Sequence, residues 1–241
     1  MNDKNLEYLK KYLPSSQYSF GVEKLKKGIS PQYIVGNVDF YGYLFQVDSN
    51  VLIPRFETEL LVDKAIAYIK DFFPQYENLH VLDIGTGSGC IAITLNKVLG
   101  LNVTACDISN SALDVAKKNA SLNDANVCFV ESDLFSHIHG KFDVIISNPP
   151  YISYDEKIDD MVFYNEPHLA LYASDNGLSF YKRILENVLK YLNQRFMIAF
   201  EIGQYQGDMV KNLAYQYLGD VEVILLKDYS NRDRFVFIFS K

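Results

Sequence analysis

An amide side chain, two prolines and an aromatic ring end one apolar run of the chain. The run and its ending are residues 142–151, FDVIISNPPY. Proline has no N–H and keeps the preceding residue extended, so this ending is stiff and its carbonyl groups have no partners in a sheet. The Asn148 side chain and the Pro149 carbonyl are therefore fixed hydrogen-bond acceptors, which suit the –NH2 group of an amide or of an aminated base. The simpler interpretation of this segment alone is a strand that ends in a proline turn.

Alternating glycines occupy another segment, residues 83–89, with the sequence DIGTGSG. Glycine lets the backbone turn tightly and approach a ligand, and the helical pattern that follows offers free N–H groups at its start. The GxGxG spacing differs from the GxGxxG of dinucleotide-binding loops, and no GK[ST] follows. A phosphate cradle is therefore disfavoured.

Asp107 and Asp133 each follow a later apolar run. Asp107 lies 22 residues after Gly85, where a carboxylate can accept hydrogen bonds from ribose hydroxyl groups. Asp133 precedes Leu134, and an acid beside an apolar side chain can hold an adenine ring. Each residue alone also fits a turn, a helix cap or a solvated loop. Together, at the carboxyl ends of successive parallel strands, they favour a nucleoside cofactor.

From residue 79 onward, short apolar runs alternate with helical patterns, which predicts an α/β fold with a parallel sheet covered on both faces. The predicted sheet is doubly wound and mostly parallel, with seven strands at residues 79–84, 103–106, 127–130, 142–147, 196–202, 221–226 and 234–239. Only a short turn separates the last two strands, so one terminal strand is expected to run antiparallel. The predicted helices lie at residues 90–99, 109–122, 177–192 and 206–218. Ser111 and Asp114 are expected to form a capping box in the second of these helices, and residues 152–174 are predicted to be a loop.

The first part of the chain is predicted to add a small helical segment and a β-hairpin. Leucines at helical spacing indicate a helix over residues 3–13, and a second short helix is expected at 22–26. Residues 38–40 and 43–47 flank a turn at 41–42 and are typical of a hairpin. This part is too small for an independent core, so we expect it to pack against the rest of the chain.

Composition limits the classes of protein that fit. The 241 residues are 49% apolar and 22% charged, which is ordinary for a soluble globular protein. The net charge of −7 and the lack of a long basic run disfavour broad binding to nucleic acid phosphates. The three cysteines form no CxxC pair and no metal-ligand spacing with the four histidines, so we expect neither a metal site nor a disulfide framework. Because no signal peptide and no bilayer-spanning run is visible, we expect a cytoplasmic protein that does not bind membranes. We also expect a monomer.

The combination of these features resembles the class I S-adenosylmethionine-dependent methyltransferases that modify planar nitrogens, whose fold is Rossmann-like. Residues 51–59, VLIPRFETE, narrow the resemblance, since they are similar to the LIPRPETE signature of the release-factor glutamine methyltransferases, the PrmC/HemK family. Phe56 stands where that family usually has proline. Further matches lie at residues 28–36, 40–42, 166–167, 170–171, 177–178, 201–203, 206 and 231–234.

The resemblance implies S-adenosyl-L-methionine as the cofactor and peptide chain release factors as the protein substrate. The implied methyl acceptor is the side-chain amide nitrogen of the glutamine in a GGQ motif. The implied cofactor-binding residues are Asp83, Gly85, Thr86, Gly87, Gly89, Asp107, Ile108, Asp133, Leu134 and Asn148. The implied substrate-binding residues are Asn148, Pro149, Pro150, Tyr151 and Arg55, of which Asn148, Pro149 and Tyr151 are the implied catalytic residues.

The resemblance also divides the chain. It implies a shortened helical N-terminal segment at residues 1–36, the hairpin and linker at 37–56, and the S-adenosylmethionine-dependent methyltransferase domain at 57–241. Members of the family usually carry a larger helical N-terminal domain that takes part in docking the release factor. Only about thirty residues precede the matching region here.

The mechanism that these residues can support is positioning. An amide nitrogen is a poor nucleophile because its lone pair is shared with its own carbonyl. Holding its N–H groups on Asn148 and the Pro149 carbonyl aims the lone pair at the methyl group, and positioning of this kind supplies about 7 to 11 kcal/mol in favourable cases. Tyr151 is expected to stack against the planar amide.

Other charged residues near these motifs have structural explanations. Arg55 fits a clamp within its loop as well as substrate binding. Glu166 and Glu201 are expected to support neighbouring side chains, and His168 is expected to be exposed.

Two other functions use part of the same pattern. A methyltransferase acting on the exocyclic amine of adenine in DNA or RNA needs the same acceptors, but it must extrude a base and bind a polyanion. The net charge of −7 counts against that function. A non-catalytic module could bind the cofactor alone, but it would not need the NPPY ending.

Overall fold

The computed structural model describes residues 3–241, and a seven-stranded sheet lies at their centre. The helices are α1 Asp3–Tyr12, α2 Tyr18–Lys26, α3 Pro31–Val35, α4 Phe56–Phe72, α5 Cys90–Leu99, α6 Asn110–Leu122, α7 Asp160–Asn165, α8 Ser179–Asn187 and α9 Gly207–Leu218. The strands are β1 Asn37–Phe40, β2 Tyr43–Gln46, β3 His80–Ile84, β4 Asn102–Asp107, β5 Val127–Glu131, β6 Phe142–Ser147, β7 Ile152–Ser153, β8 Tyr172–Ala173, β9 Leu192–Glu201, β10 Val221–Lys227 and β11 Asp233–Ser240. Among residues 3–241, no helix combines the length and the apolar composition needed to cross a membrane.

The order of the strands across the main sheet is β10-β11-β9-β6-β3-β4-β5. β11 runs antiparallel to both of its neighbours, whereas the other neighbouring strands are parallel. The predicted doubly wound, mostly parallel sheet with one antiparallel strand is confirmed. The turn at residues 228–232 joins β10 to β11 and is too short for the crossover that a parallel pair would need.

The pairing register brings the ends of three strands level. Ile84 of β3 pairs with Cys106 of β4 and with Ser147 of β6. The glycine segment 83–89, Asp107 and the NPPY ending continue from these positions. The topology therefore brings these motifs together at the carboxyl-terminal ends of the strands, where parallel sheets bind ligands.

Alternate side chains of the strands form an apolar layer on each face of the sheet. On one face, Val81 and Val144 pack with apolar residues of α4 and α5. On the other face, Leu82 and Ile145 pack with apolar residues of α8 and α9. Because β6 is buried from both sides, its sequence is a nearly continuous apolar run and not an alternating one.

Three short helices precede the hairpin, one more than predicted. The additional helix, α3, begins at Pro31, where the missing N–H of proline costs no helical hydrogen bond. The Tyr8 hydroxyl donates to the Asn37 carbonyl at 3.2 Å. The Ser30 N–H donates to the Asn165 side chain at 3.2 Å. These hydrogen bonds connect α1 to the hairpin and the start of α3 to α7, which follows β6 in the sequence.

The predicted hairpin is formed by β1 and β2, which pair antiparallel. It lies on α6, where the Asn119 side chain accepts the Gln46 N–H at 2.7 Å and donates to the Gln46 carbonyl at 3.0 Å. The same amide donates to the Ser88 carbonyl at 2.9 Å. One buried side chain therefore ties the hairpin to the glycine segment 83–89.

The predicted cap of α6 is wrong. Ser109, and not Ser111, caps the helix, because the Ser109 hydroxyl accepts the Ala112 N–H at 3.2 Å. Ser109 is the last residue with extended backbone, whereas Ser111 already lies inside the first turn. A capping residue must precede the helical backbone, so the helix start decides which serine acts.

Two boundaries in the second half of the chain also differ from the predictions. The predicted helix 177–192 consists of α8 followed by a short 3-10 turn, and β9 begins at Leu192, four residues before the predicted start. Leu192 pairs with Phe142 across an irregularity in the ladder, which extends the strand beyond its apolar centre. Residues 152–174 contain α7 and the parallel β7–β8 pair in addition to loop.

Candidate active site

A cavity of about 310 Å³ opens at the carboxyl-terminal ends of the parallel strands. Residues that follow β3, β4, β5 and β6 line it, together with part of α8. Further lining residues are Asn50, Val51, Leu52, Pro54, Thr58, Pro167, Leu169 and Ala170. The site residues predicted from the sequence that lie on its wall are Gly85, Thr86, Gly87, Asp107, Ile108, Asp133, Leu134, Asn148, Pro149 and Pro150. The predicted residues that are not on its wall are Asp83, Gly89, Tyr151 and Arg55.

The glycine segment is held to the sheet by main-chain hydrogen bonds. The N–H groups of Gly85 and Thr86 both donate to the Cys106 carbonyl, at 2.8 and 2.9 Å. Gly85 and Gly87 have φ values of +72° and +54°, which favour glycine, and no atom lies within 4 Å of the place where either would carry a Cβ. The segment therefore leaves open space next to its backbone on the cavity wall.

Asp107 presents its carboxylate to the cavity in a fixed orientation. Its Oδ2 accepts the Gly87 N–H at 2.9 Å, and its Oδ1 accepts the Ser109 N–H at 2.9 Å. Burial raises the pKa of Asp107, and these main-chain hydrogen bonds oppose the shift. An ionised carboxylate has about four lone-pair sites, so Asp107 keeps accepting capacity for a ligand.

Asp83 and Gly89, the first and last residues of the glycine segment, do not reach the cavity wall. The fully buried Asp83 carboxylate accepts the Thr86 hydroxyl at 2.6 Å. Burial raises the pKa of Asp83 to about 7, although the hydrogen bond from Thr86 lowers it. A Cβ at Gly89 would lie 2.9 Å from the Ile93 side chain and 3.2 Å from Ala116 Cβ, so this glycine allows α5 and α6 to pack closely. Both residues shape the segment from outside the cavity.

Asp133 and Leu134 line the cavity beyond β5. The Arg183 guanidinium donates to Asp133 Oδ2 at 2.7 Å, and both side chains are nearly half exposed. Arg183 and Phe180 reach the cavity wall from α8. This end of the cavity is therefore bounded by an acid, two apolar side chains and a cation.

Asn148 lies on the cavity wall directly after β6. Its Nδ2 donates to Thr58 Oγ1 at 3.1 Å, and the Thr58 hydroxyl donates to Glu201 Oε2 at 2.7 Å. Thr58 is 3% exposed and Glu201 is 1% exposed. The amide of the NPPY ending is thus connected to a buried carboxylate at the end of β9.

Tyr151 is held from two directions. Its hydroxyl donates to Glu201 Oε1 at 3.3 Å, and burial raises its pKa. Its carbonyl accepts the Gln206 side-chain amide at 2.9 Å. A Cβ at Gly177 would lie only 2.1 Å from the same carbonyl, so no other residue type fits there without displacement. The predicted stacking of Tyr151 on a substrate amide stays a prediction.

Comparisons with known proteins agree with this geometry. The family model described as Methyltransferase small domain matches residues 58–165. The chain is 44% identical over 210 residues to the release factor glutamine methyltransferase of Streptococcus pneumoniae, which covers 86% of this chain and 74% of the relative. It is 42% identical over 219 residues to the Bacillus subtilis protein of the same name, which covers 88% of this chain and 76% of the relative. The chain belongs to the release factor glutamine methyltransferase family.

A solved structure supports the assignment to this family. The release factor-specific protein-(glutamine-N5) methyltransferase of Alicyclobacillus acidocaldarius has a TM-score of 0.50 and is 28% identical. The match covers 82% of this chain and 99% of that structure. The family predicted from residues 51–59 is therefore confirmed.

The segment that carries the release factor glutamine methyltransferase signature is clamped by an ion pair. Arg55 pairs with Glu166, and the other Glu166 oxygen accepts the Ile53 N–H at 3.2 Å. Glu166 is buried, whereas about a third of the Arg55 side chain is exposed. The pair joins residues 51–59 to the segment after β6, and substrate binding by Arg55 stays a prediction.

Phe56 replaces the proline that is usual in the family and begins α4. Phe56 is 59% exposed, and its ring stacks on Tyr229 with the ring centroids 5.9 Å apart. Tyr229 lies in the turn between β10 and β11. The substitution therefore packs the signature segment on that turn.

Sequence reasoning missed several residues of this cavity. Thr58 is part of the signature segment but has no role in the sequence argument, because its role depends on contacts with residues far along the chain. Phe180 and Arg183 belong to an amphipathic helix whose pattern indicates only burial. Within residues 3–241, no group of His, Cys, Asp and Glu side chains is arranged to hold a metal ion.

Proposed function

We propose that this protein transfers a methyl group from S-adenosyl-L-methionine to the side-chain amide nitrogen of the GGQ glutamine in peptide chain release factors. The observation that carries the proposal is that Asn148 and Pro149 lie on the wall of the same cavity as the glycine segment 83–89 and Asp107. A methyl donor held by the glycine segment would thus be next to acceptors suited to an amide. Membership of the family supports the same activity.

The cavity wall fits the proposed cofactor. The open space next to Gly85 and Gly87 admits a ligand that a Cβ at either position would exclude. The Asp107 carboxylate is positioned to accept hydroxyl groups, and Leu134 offers an apolar surface beyond it. When bound, S-adenosyl-L-methionine supplies an activated sulfonium methyl group. The proposed contacts run from Gly85, Thr86 and Gly87 at the methionine part, through Asp107 and Ile108 at the ribose, to Asp133 and Leu134 at the adenine. Asp83 and Gly89 take part in cofactor binding by shaping the glycine segment from outside the cavity.

The protein's contribution to the reaction is to orient the amide. Asn148 Oδ1 and the Pro149 carbonyl accept the N–H groups of the substrate glutamine, which fixes the plane of its amide. The nitrogen lone pair lies perpendicular to that plane, so fixing the plane aims the lone pair at the methyl group. As the N–C bond forms, the bond between sulfur and methyl would break, and the amide nitrogen would give up one of its two protons, which needs no strong base. Pro150, Tyr151 and Arg55 are the further substrate contacts in this proposal, and Pro150 is the one on the cavity wall.

The proposed division of the chain is 1–36 for the helical segment, 37–56 for the hairpin and linker, and 57–241 for the methyltransferase domain. The packing of α1, α2 and α3 on one another supports the boundary after residue 36. The hydrogen bond between the hairpin and α6 supports the separate segment at residues 37–56. Because release factors act in translation, we propose a cytoplasmic protein. We also propose that it is a monomer without a stable nucleic acid partner, in keeping with the net charge of −7.

The test is methyl transfer from labelled S-adenosyl-L-methionine to purified release factors, with DNA and RNA as parallel acceptors. We expect label on the glutamine of the GGQ motif. A release factor with that glutamine changed to alanine should stay unlabelled. Label in nucleic acid and none in the release factor would overturn the proposal.

A further inference from the structure

Three side chains from distant segments form a continuous hydrogen-bonded chain that leads from the cavity wall into the protein interior. Glu201 ends β9, Thr58 lies in the first turn of α4, and Asn148 follows β6. The Thr58 hydroxyl donates to Glu201 at 2.7 Å and accepts from Asn148 at 3.1 Å. Thr58 and Glu201 are almost completely buried.

The direction of this chain determines which way the Asn148 amide faces. A hydroxyl has one hydrogen, and an ionised carboxylate only accepts hydrogen bonds. Thr58 therefore gives its hydrogen to Glu201 and has only lone pairs left for Asn148. The –NH2 group of Asn148 must turn toward Thr58, which leaves Oδ1 on the other side of the amide. Among residues 3–241, no group donates to that Oδ1.

We propose that Glu201 and Thr58 are positioning residues that hold the Asn148 amide with Oδ1 directed at the methyl acceptor. The proposal rests on the function proposed above and names the part of the protein that orients its acceptor. If the amide were reversed, its N–H groups would face the N–H groups of the substrate glutamine, and no hydrogen bond would form. The buried chain prevents that reversal.

The proposal makes transfer dependent on the ionisation of Glu201. Protonated Glu201 carries a hydrogen of its own, so Thr58 no longer has to donate to it and can donate to Asn148 instead. Burial raises the pKa of Glu201 to about 7, and the Thr58 hydrogen bond and the charge of Arg234 oppose the shift. The other titratable groups that act on this site are Glu57 of α4, Tyr151 after β6, Tyr181 of α8 and Cys90 of α5. The accepting carboxylate is present above this pKa and is lost as the pH falls through it.

The first test compares Thr58→Val, which keeps the shape and removes the hydroxyl, with Thr58→Ser, which keeps the hydroxyl. For Thr58→Val we expect kcat for release factor methylation to fall about a hundredfold, with KM for the release factor changed by less than about threefold. Thr58→Ser should recover most of the lost kcat. A purely structural role for Thr58 would not separate the two variants in this way.

A matched control for the loss of a buried hydroxyl is Thr94→Val in α5. Thr94 is fully buried, and among residues 3–241 its hydroxyl has no hydrogen-bond partner. Thr94 is not on the cavity wall, so the kcat of Thr94→Val should equal that of the parent. Equal kcat for Thr58→Val and the parent would overturn the proposal, whereas absence of release factor methylation by the parent itself would overturn the proposed function.

The second test is the pH profile of kcat for the parent and for Glu201→Gln. The parent should lose about tenfold between pH 8 and pH 6, as expected for one group that titrates near 7. Glu201→Gln should have a lower kcat that is flat over the same range, since a glutamine side chain does not titrate. Asp83 also has a pKa near 7. If the fall in kcat between pH 8 and pH 6 persists unchanged in Glu201→Gln, another group is responsible for it. That result would overturn this part of the proposal.

Discussion

The cofactor side and the acceptor side of the cavity are held in place by different kinds of contact. On the cofactor side, the N–H groups of Gly85 and Thr86 donate to the carbonyl of Cys106, which belongs to the neighbouring strand. The contact joins main-chain atoms, so it depends on strand pairing and not on the side chains present. Here the sheet builds most of the site, and the carboxylates of Asp83 and Asp107 add hydrogen bonds from Thr86 and Gly87.

On the acceptor side, the contacts join side chains. Asn148 depends on Thr58, which lies 90 residues away in the sequence, and Thr58 depends on Glu201, which lies 143 residues away. No main-chain pairing would restore the arrangement if one of these side chains were lost. The comparison teaches that cofactor binding should depend on the main chain of the glycine segment and on the Asp107 carboxylate. Transfer should in addition be sensitive to the single side chains of the acceptor side.

The largest effect is expected for Asn148→Ala, which removes the acceptor without touching the glycine segment. Removing one oriented hydrogen-bonding group from an active site costs about a hundredfold to a thousandfold in kcat. We expect at least that loss, with the dissociation constant for S-adenosyl-L-methionine changed by less than about fivefold. Single-turnover methylation and isothermal titration calorimetry would measure the two quantities. If Asn148→Ala lost methyl transfer and cofactor affinity to the same extent, the cofactor side and the acceptor side would not be independent.

Gly177→Ala tests the close approach behind Tyr151. A Cβ there would lie 2.1 Å from the Tyr151 carbonyl and 2.4 Å from Gln206 Nε2, at a φ of +82°. We expect the free energy of unfolding to fall by about 2 to 4 kcal/mol, from overpacking and an unfavourable backbone conformation. Transfer should fall more than cofactor affinity, because the displaced carbonyl adjoins the NPPY ending. Urea unfolding, kcat and cofactor titration would test this, and an unchanged unfolding midpoint would contradict it.

Gly85→Ala tests the cofactor side. The positive φ makes alanine unfavourable by about 1 kcal/mol, and the added Cβ enters the open space on the cavity wall. We expect cofactor affinity to fall about tenfold or more. Gly100→Ala is the matched control, since Gly100 has a similar φ of +69° and open space around it but lies at the end of α5. Similar loss of stability in both variants, with loss of affinity in Gly85→Ala alone, is the expected result.

Arg183→Ala is expected to have the smallest effect. The Arg183 and Asp133 side chains are 46% and 45% exposed, so solvent screens their ion pair, and it contributes less than about 1 kcal/mol. Cofactor affinity should fall by at most about fivefold, and less at high salt. Lys182→Ala provides a control, since Lys182 pairs with Asp175 away from the cavity wall. A loss much larger than fivefold would mean that the Arg183–Asp133 ion pair also governs the cofactor side.

Much of the architecture follows from local patterns in the sequence. Apolar runs bounded by helical patterns predict the seven strands and their parallel sheet, because burial from both faces requires a continuous apolar run. Where two local signals competed, the outcome depended on the backbone: Ser109 and Ser111 are both suitable caps, and the helix start selects Ser109. The early start of β9 at Leu192 depends on pairing with Phe142, which no local pattern records.

The sequence by itself determined the strands, the family and the position of Asn148 at a strand end, because each of these depends on residues that are close together in the chain. Only the tertiary structure decided that Thr58 and Glu201 lie behind Asn148 and that Arg183 lies beside Asp133. Hydrogen bonds between side chains form where packing brings distant segments within about 3 Å. Spacing along the chain carries no information about such contacts, and they decide which way the acceptor amide faces.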